Sequence, residues 1–426
     1  MDSRRFLFLQ GPHGPFFDRL GALLRAAGAE VRRVGFNGGD AAFWSDGGGY
    51  IPFDRAPEDW PATCATLLDR HAITDLVLYG DTRPVHAAAI AAARDRSVHV
   101  HVFEEGYLRP WWVSYERGGS NANSRLMNLD VTEMRSALTG RDRDLPDPPA
   151  HWGDMRHHVF YGALYHLLVL LRPRRARGWI PHRGVTIGRE FRLHLRRLLA
   201  MPFGALERGI RTRRIVRGGF PYHLCLLQLE HDASFQAHSP YASMAGFLHD
   251  VIAGFAEGAP QHHHLVLKAH PLEDGRTPIR ATVRDLVVAH GLSGRVHYVG
   301  GGKLAHLMNE ARSAITVNST AAQQALWRGL PVLALGRSVY SKPDFVSSQT
   351  VPAFFADPTP PDSRAYRDYR HYLLETSQVA GGYYSARGRR QLLRQVVDMM
   401  LAEQDPYDRL ARGHPAPRPD LKLVSG

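Results

Sequence analysis

Cysteine is nearly missing from this 426-residue chain: only Cys64 and Cys225 are present. Two cysteines make no disulfide framework, so a reducing compartment is the expectation. A membrane-length apolar run is missing too. The longest, Tyr161 to Leu171, is about 11 residues, where a bilayer span needs about 20. Met1-Asp2-Ser3-Arg4-Arg5 leads at once into a short apolar strand, too short a lead-in for a signal-peptide core. No His/Cys spacing suggests a zinc site, and His262-His263-His264 reads as a loop edge before a strand. No internal repeat stands out beyond a likeness between two halves. A soluble or membrane-peripheral protein, without a metal, is the expectation.

Positive charge and apolar residues are plentiful. The formal net charge is +12 and 44% of residues are hydrophobic, so the chain is globular and suited to an acidic partner. Its length allows two or three domains. Phe6-Leu7-Phe8-Leu9 reads as a buried parallel strand, Phe16 to Ala27 as a helix stopped by Gly28, and Glu30 to Val34 as the next strand. That is a βαβ unit. Its Gln10-Gly11-Pro12-His13-Gly14-Pro15 loop lies where open α/β sheets bind ligands. His13 reads either as a proton donor or acceptor or as the exposed side chain of a tight turn. Phe36-Asn37-Gly38-Gly39-Asp40 ends the second strand at the same edge. Val98 to Phe103 is a strand, followed by Glu104-Glu105-Gly106-Tyr107-Leu108-Arg109-Pro110. The paired acids there are a general-base candidate, or a solvated turn with an ion pair to Arg109.

A second βα-alternating region begins near Phe220. Tyr222 to Leu227 is a strand; Glu230 and Asp232 follow it and read as nucleophile or base, or, for Asp232, as a helix N-cap. His264 to Lys268 is a strand ending in Lys268-Ala269-His270-Pro271. Ala314 to Val317 is another, leading through Asn318-Ser319-Thr320 to a helix expected to run to Arg328, with Gln324 inside it. Hydroxyl side chains at a helix start suit an anion, and Lys268 and His270 would add positive charge from a neighbouring loop. This reads as a phosphate clamp for an activated sugar.

The expected fold is α/β and GT-B-like: two Rossmann-like domains facing a cleft. The expected domains are 1–150 on the acceptor side, a basic helical connector 151–217, a nucleotide-sugar domain 218–375, a helix 376–404 packing back on the first domain, and a loose tail 405–426. The connector holds Arg174, Arg175, Arg177, Arg183, Arg189, Arg192, Arg196, Arg197, Arg208, Arg211, Arg213, Arg214 and Arg217 with leucines between them. It reads as an anionic-membrane surface or as a solvated connector. No nucleic-acid recognition module is apparent.

With these pieces laid out, the chain resembles the capsule polysaccharide biosynthesis family of the KpsS/LipB type. The matching pieces are Phe8 to Phe17, Phe36 to Asp40, Glu104 to Pro110, His270-Pro271, Val317 to Thr320 and Gly336 to Tyr340, in order across residues 6 to 345. The resemblance implies a glycosyltransferase that uses CMP-Kdo as donor and places the first β-linked Kdo on a phosphatidylglycerol-type lipid. That reaction sits at the cytoplasmic face of the bacterial inner membrane, beside other capsule-assembly proteins. The pattern is also similar to that of GT-B-shaped CMP-sialic-acid transferases. Carried over, Glu105 or Glu104 is the base or acceptor-orienting acid. His270 faces the CMP phosphate, held by Ser319 and Thr320 with Lys268, Pro271, Asn318 and Gln324 around it. Gln10, Gly11, His13, Gly14, Asn37, Asp40 and Arg109 lie on the acceptor side. The related β-Kdo transferases retain configuration, which makes Asp232, then Glu230, the candidate nucleophile. Many nucleotide-diphosphate enzymes of this shape carry a ribose-binding Glu where this chain has Gln324. Another nucleotide-sugar transferase, a sugar-nucleotide epimerase and a non-catalytic membrane adaptor are the competing readings.

Overall fold

The structure, a computed structural model, describes residues 4–141, 155–171, 188–189, 192–193, 195–196, 209–273, 275–300 and 303–413. Most of the arginine-rich connector and the tail beyond 413 lie outside the described residues. The chain divides into two compact units. One comprises residues 1–125, 136–198 and 371–426; the other comprises 126–135 and 199–370.

The first unit is built on a seven-stranded sheet. Its strands are β1 (Arg5–Phe8), β2 (Glu30–Gly35), β3 (Tyr50–Pro52), β4 (Asp75–Tyr79), β5 (His99–Glu105), β6 (Trp112–Arg117) and, from the far end of the chain, β12 (Gln378–Ala380). The spatial order is β12-β6-β5-β4-β1-β2-β3. Strands β3, β2, β1, β4 and β5 are parallel, and β6 turns back antiparallel against β5. β12 runs antiparallel to β6, so it points the same way as β5. Phe6, Leu7 and Phe8 are wholly buried, as a central parallel strand covered on both faces requires.

Two helical layers cover the faces. Helix α1 (Phe16–Ala26) buries Phe16, Phe17, Leu20 and Leu24 on one side. The helix Ala386–Leu401 joins that same core with Leu392, Leu393, Val396, Met399 and Met400. On the other side α3 (Trp60–Arg70) and α4 (Pro84–Arg94) supply Trp60, Cys64, Leu67, Leu68, Ala89, Ile90 and Ala93. Gly28, with φ 90°, ends α1 where the sequence expects it.

The second unit holds a five-stranded parallel sheet in the order β11-β10-β7-β8-β9. The strands are β7 (Tyr222–Leu226), β8 (His264–Lys268), β9 (Val296–Val299), β10 (Ala311–Thr316) and β11 (Val332–Ala334). The helix Met244–Gly258 packs its buried Phe247, Leu248, Val251, Ile252 and Phe255 on this sheet. Residues 126–135 belong to this unit because the buried Lys342 ammonium donates to the carbonyls of Leu126 and Leu129, both at 2.6 Å.

Several expectations are revised. Glu104 and Glu105 are not in a turn: both are paired residues of β5, opposite Ser114 and Val113. Phe36 to Asp40 does not finish a strand; β2 stops at Gly35 and a short helix α2 (Gly38–Ala42) begins, capped by Asn37. The helix after β10 covers only Ala322–Leu326, so Ser319 and Thr320 precede it in a turn. Strands β3, β6 and β12 had no expected counterpart. Among the described residues no helix is long and apolar enough to cross a membrane.

One buried acid gives the first unit a pH signature. Glu116 on β6 is 1% exposed and accepts from Tyr107 Oη at 2.5 Å, Tyr407 Oη at 2.8 Å and Ser124 Oγ. Burial pushes its carboxyl up to about 7, although those hydroxyls pull the other way. A raised folded-state value means the folded chain holds more protons than the unfolded chain between pH 4.5 and about 7. Stability from this group is therefore full below pH 4.5 and is lost as pH rises through about 7. Urea unfolding across that window should show wild type losing on the order of 3 kcal/mol relative to Glu116→Gln. Parallel pH profiles would refute the assignment.

Candidate functional site

Open parallel sheets bind ligands outside the carboxyl ends of their strands, where the strand order reverses. In the first unit that point lies between β1 and β4. The loops after β1, β2, β4, β5 and β12 all leave at this edge, and the apolar helix Met155–Leu171 packs onto it.

A buried polar knot joins the first two loops to that helix. Asn37 Oδ1 accepts from the amides of Gly39 (2.9 Å) and Asp40 (3.0 Å) and caps α2. Asn37 Nδ2 donates to Tyr165 Oη at 2.7 Å, and Tyr165 Oη donates to Asp40 Oδ1 at 3.0 Å. Asp40 Oδ2 accepts from the Phe36 amide (3.0 Å) and from Gln10 Nε2 (3.2 Å), and Arg33 lies 3.5 Å from Oδ1. Gln10, Asn37 and Asp40 are all buried. They fix loop geometry rather than face open space. A Cβ on Gly39 would stand 2.6 Å from the Tyr165 ring, so only glycine lets the helix approach. His13 stacks on Tyr165 at 4.4 Å between centroids, which replaces the exposed-turn reading. Gly14 (φ 114°) sits under Tyr161, while a Cβ on Gly11 would meet the Phe17 ring at 2.6 Å.

Next to the knot stand the paired acids. Glu105 Oε1 accepts from Tyr79 Oη (3.1 Å) and Tyr384 Oη (3.3 Å). Glu104 accepts the Glu105 amide on its side chain at 3.1 Å, and its carbonyl accepts from Tyr383 Oη at 2.8 Å. Burial first, and then Glu105, holds all three tyrosine hydroxyls well above the usual phenol range, so they remain donors. Among the described residues Arg109, exposed, donates only to the Gly106 carbonyl (3.2 Å) and makes no ion pair with the acids. Arg83, at the end of the β4 loop, lies over the Tyr79 ring at 5.4 Å. Among the described residues it has no carboxylate partner. Sequence reading missed Tyr79, Arg83, Tyr165, Tyr383 and Tyr384, because they are brought in from three separate parts of the chain. An arginine directly before the proline that starts α4 was the one local signal.

The second unit reverses its strand order between β7 and β10. Gln228, after β7, and Asn318, after β10, clasp each other across that point. Gln228 Nε2 donates to Asn318 Oδ1 at 2.7 Å, and the Asn318 amide donates to Gln228 Oε1 at 2.9 Å. Asn318 Nδ2 also donates to the Ser234 carbonyl at 3.1 Å. Half-buried Ser319 and Thr320 come next. The Ser319 carbonyl accepts from the buried Tyr340 Oη at 2.8 Å, which ties the Gly336 to Tyr340 segment to the turn. Gln324 is half-buried, and its carbonyl accepts from Arg328 at 2.8 Å.

From the β7 loop, Glu230 Oε2 accepts the Met244 amide at 2.8 Å and so caps the helix Met244–Gly258. Asp232 is exposed at the start of the short helix Ala233–His238, and its side chain makes no capping bond. From the β8 loop, Lys268 is 4% exposed and donates to its neighbour's carbonyl, that of Ala269, at 3.0 Å. His270, half-buried, accepts the Leu272 amide on Nδ1 at 3.0 Å, and Pro271 is exposed. The β8 and β10 ends are two strand spacings apart, about 10 Å, with the β7 loop between them. His263 and His264 lie at the opposite, amino edge: His263 pairs with His223 at 3.0 Å and His264 with His297 at 2.8 Å.

Two Rossmann-like units, each with a reversal point furnished with polar side chains, place the chain in the GT-B-like α/β class. Residues 74–384 match the family described as capsule polysaccharide biosynthesis protein, and the chain belongs to that family. It is 29% identical over 388 residues to the capsule polysaccharide modification protein LipB of Neisseria meningitidis serogroup B, covering 90% of this chain and 92% of that one. It is 27% identical over 394 residues to the capsule polysaccharide export protein KpsS of Escherichia coli, covering 90% and 98%. Among solved structures it is similar to Thermosulfurimonas dismutans KpsC, a beta Kdo 2,7 transferase, with 12% identity, a TM-score of 0.44 and coverage of 93% and 100%.

The clasp at the second reversal point is testable apart from any activity. Asn318→Ala removes two side-chain hydrogen bonds and leaves the buried Gln228 Nε2 without its acceptor. It should lower unfolding free energy by on the order of 2 kcal/mol in urea melts. Gln324→Ala should stay within about 0.5 kcal/mol of wild type.

Proposed function

We propose that this chain is a glycosyltransferase of capsule assembly that transfers Kdo from CMP-Kdo to a phosphatidylglycerol-type lipid, starting the poly-Kdo linker. The observation that supports this reading most is the convergence of the β7, β8 and β10 loops on one sheet edge in the second unit. A CMP leaving group carries a single phosphate. An imidazole and two hydroxyls, those of His270, Ser319 and Thr320, suffice to stabilise the charge that develops on it. Kdo has its own carboxylate beside the anomeric carbon, which suits a chain of net charge +12.

In the retaining course, a carboxylate oxygen of Asp232 attacks the anomeric carbon as the bond to the CMP phosphate oxygen breaks. CMP leaves with the bonding pair, and a glycosyl ester forms. The acceptor hydroxyl then attacks the same carbon as its proton passes to a general base, and the Asp232 carboxylate is released. Glu230 is the alternative nucleophile, but its carboxylate already serves a helix start. The protein would work as a peripheral protein at the cytoplasmic face of the inner membrane, alongside other capsule-assembly proteins.

The test is CMP release from CMP-Kdo by purified protein on phosphatidylglycerol vesicles. Release should require both donor and lipid, and UDP- or GDP-sugars should give none. His270→Ala and Ser319→Ala should each slow release by about 10²-fold. Asp232→Asn should abolish it while Glu230→Gln retains measurable turnover. Release from UDP-sugars, or wild-type rates in the His270 and Ser319 variants, would refute the proposal.

A further inference from the structure

The helix Met155–Leu171 is apolar all round, a character normally confined to a buried helix or to one in contact with lipid. Among the described residues only one of its faces is covered. Val159, Tyr165, His166 and Val169 are buried against the first unit. That face carries the polar knot with Asn37 and Asp40 and the stack on His13. The opposite stripe is Phe160, Leu164, Leu167 and Leu171, spaced four, three and four residues apart, as one side of a helix requires. Phe160 is 52% exposed and Leu171 68%, with Leu170 beside them at 37%. The helix is about 25 Å long, too short to span a bilayer upright.

Positive charge dominates around the stripe, with Asp154 the one acid beside the helix in sequence. The helix contains no acidic residue. Arg156 and His157 are exposed at its start, and in sequence Arg172, Arg174, Arg175 and Arg177 follow its end. An apolar strip with cationic residues at both ends matches the boundary between headgroups and acyl chains of an anionic membrane. We infer that this helix lies flat in the surface of an anionic bilayer, its Phe160–Leu171 stripe among the acyl chains and its Tyr165 face holding the first unit's ligand edge. The inference rests on the lipid acceptor of the proposed reaction only for its purpose. The binding itself needs no donor sugar.

The experiment uses the full chain and vesicles without CMP-Kdo. Wild-type protein should float with phosphatidylglycerol-containing vesicles and not with phosphatidylcholine alone. The double variant Phe160→Ser, Leu171→Ser changes only exposed side chains and should keep the wild-type melting curve, yet bind the anionic vesicles about tenfold more weakly. Since Cys64 and Cys225 are both buried, Leu171→Cys can be labelled selectively with an environment-sensitive fluorophore. Its emission should shift to the blue on anionic vesicles. Equal flotation of the double variant, or bound protein with an unshifted probe, would overturn the inference. A blue shift produced by raising protein concentration without vesicles would also overturn it, assigning the stripe to a second copy of the chain. Loss of CMP release with vesicle binding intact would count against the transfer reaction alone.

Discussion

A single phenol hydroxyl holds the first unit's ligand edge in shape. Tyr165 Oη takes a proton donor from Asn37 and gives its own proton to Asp40. Asp40 in turn gathers Gln10 and the Phe36 amide. Each of these groups is buried, where an unmatched donor or acceptor costs about 1–3 kcal/mol. The knot therefore has one arrangement, and the loops after β1 and β2 are set by it together with the apolar helix. Burial drives the Tyr165 hydroxyl well above its ordinary range, with Asp40 adding to the effect, so the proton the knot depends on is retained.

The second unit solves the same problem with amides instead of a phenol. Gln228 and Asn318 bridge the gap where its sheet changes direction, and neither carries a charge. The difference matters for chemistry. Uncharged clasps leave the field at that edge to the groups that flank it: His270, Glu230, Asp232 and the hydroxyls of Ser319 and Thr320. In the first unit, the carboxylates of Glu104 and Glu105 receive amide and hydroxyl donors, while Arg83 lies over the face of Tyr79. Each edge thus separates groups that keep the backbone in place from groups still available to a ligand.

Much of this was readable in the amino acids. Contiguous apolar quartets such as Phe6 to Leu9 announce covered parallel strands, and Gly28 marks a helix end by the φ it must adopt. The Gly-rich, acidic, His-Pro and Ser-Thr pieces fall at strand ends, so a parallel α/β reading puts them at ligand edges. What stayed hidden has a common cause. Asp40 and Asn37 look like exposed ligand groups until Tyr165 arrives from 125 and 128 residues away. Lys268 looks exposed in sequence, yet it is buried at the end of its strand. Strand β12 is three residues long, below the length at which alternation carries any signal. Glu104 and Glu105 read as a turn because two charges in a row mimic one; the hydroxyls that pair with Glu105 come from Tyr79 and Tyr384.

The sheet of the first unit is finished by residues near the end of the chain. Gln378, Val379 and Ala380 pair with Ser114, Val113 and Trp112, and Tyr407 closes onto Glu116. During synthesis, β6 therefore emerges with an unsatisfied hydrogen-bonding margin and must wait for some 260 further residues before its neighbour exists. The intervening unit, continuous apart from the short piece at 126–135, has every strand it needs in hand before that neighbour is made. The order of assembly is thus inverted relative to the order of translation: the half begun second is the half that can be completed first.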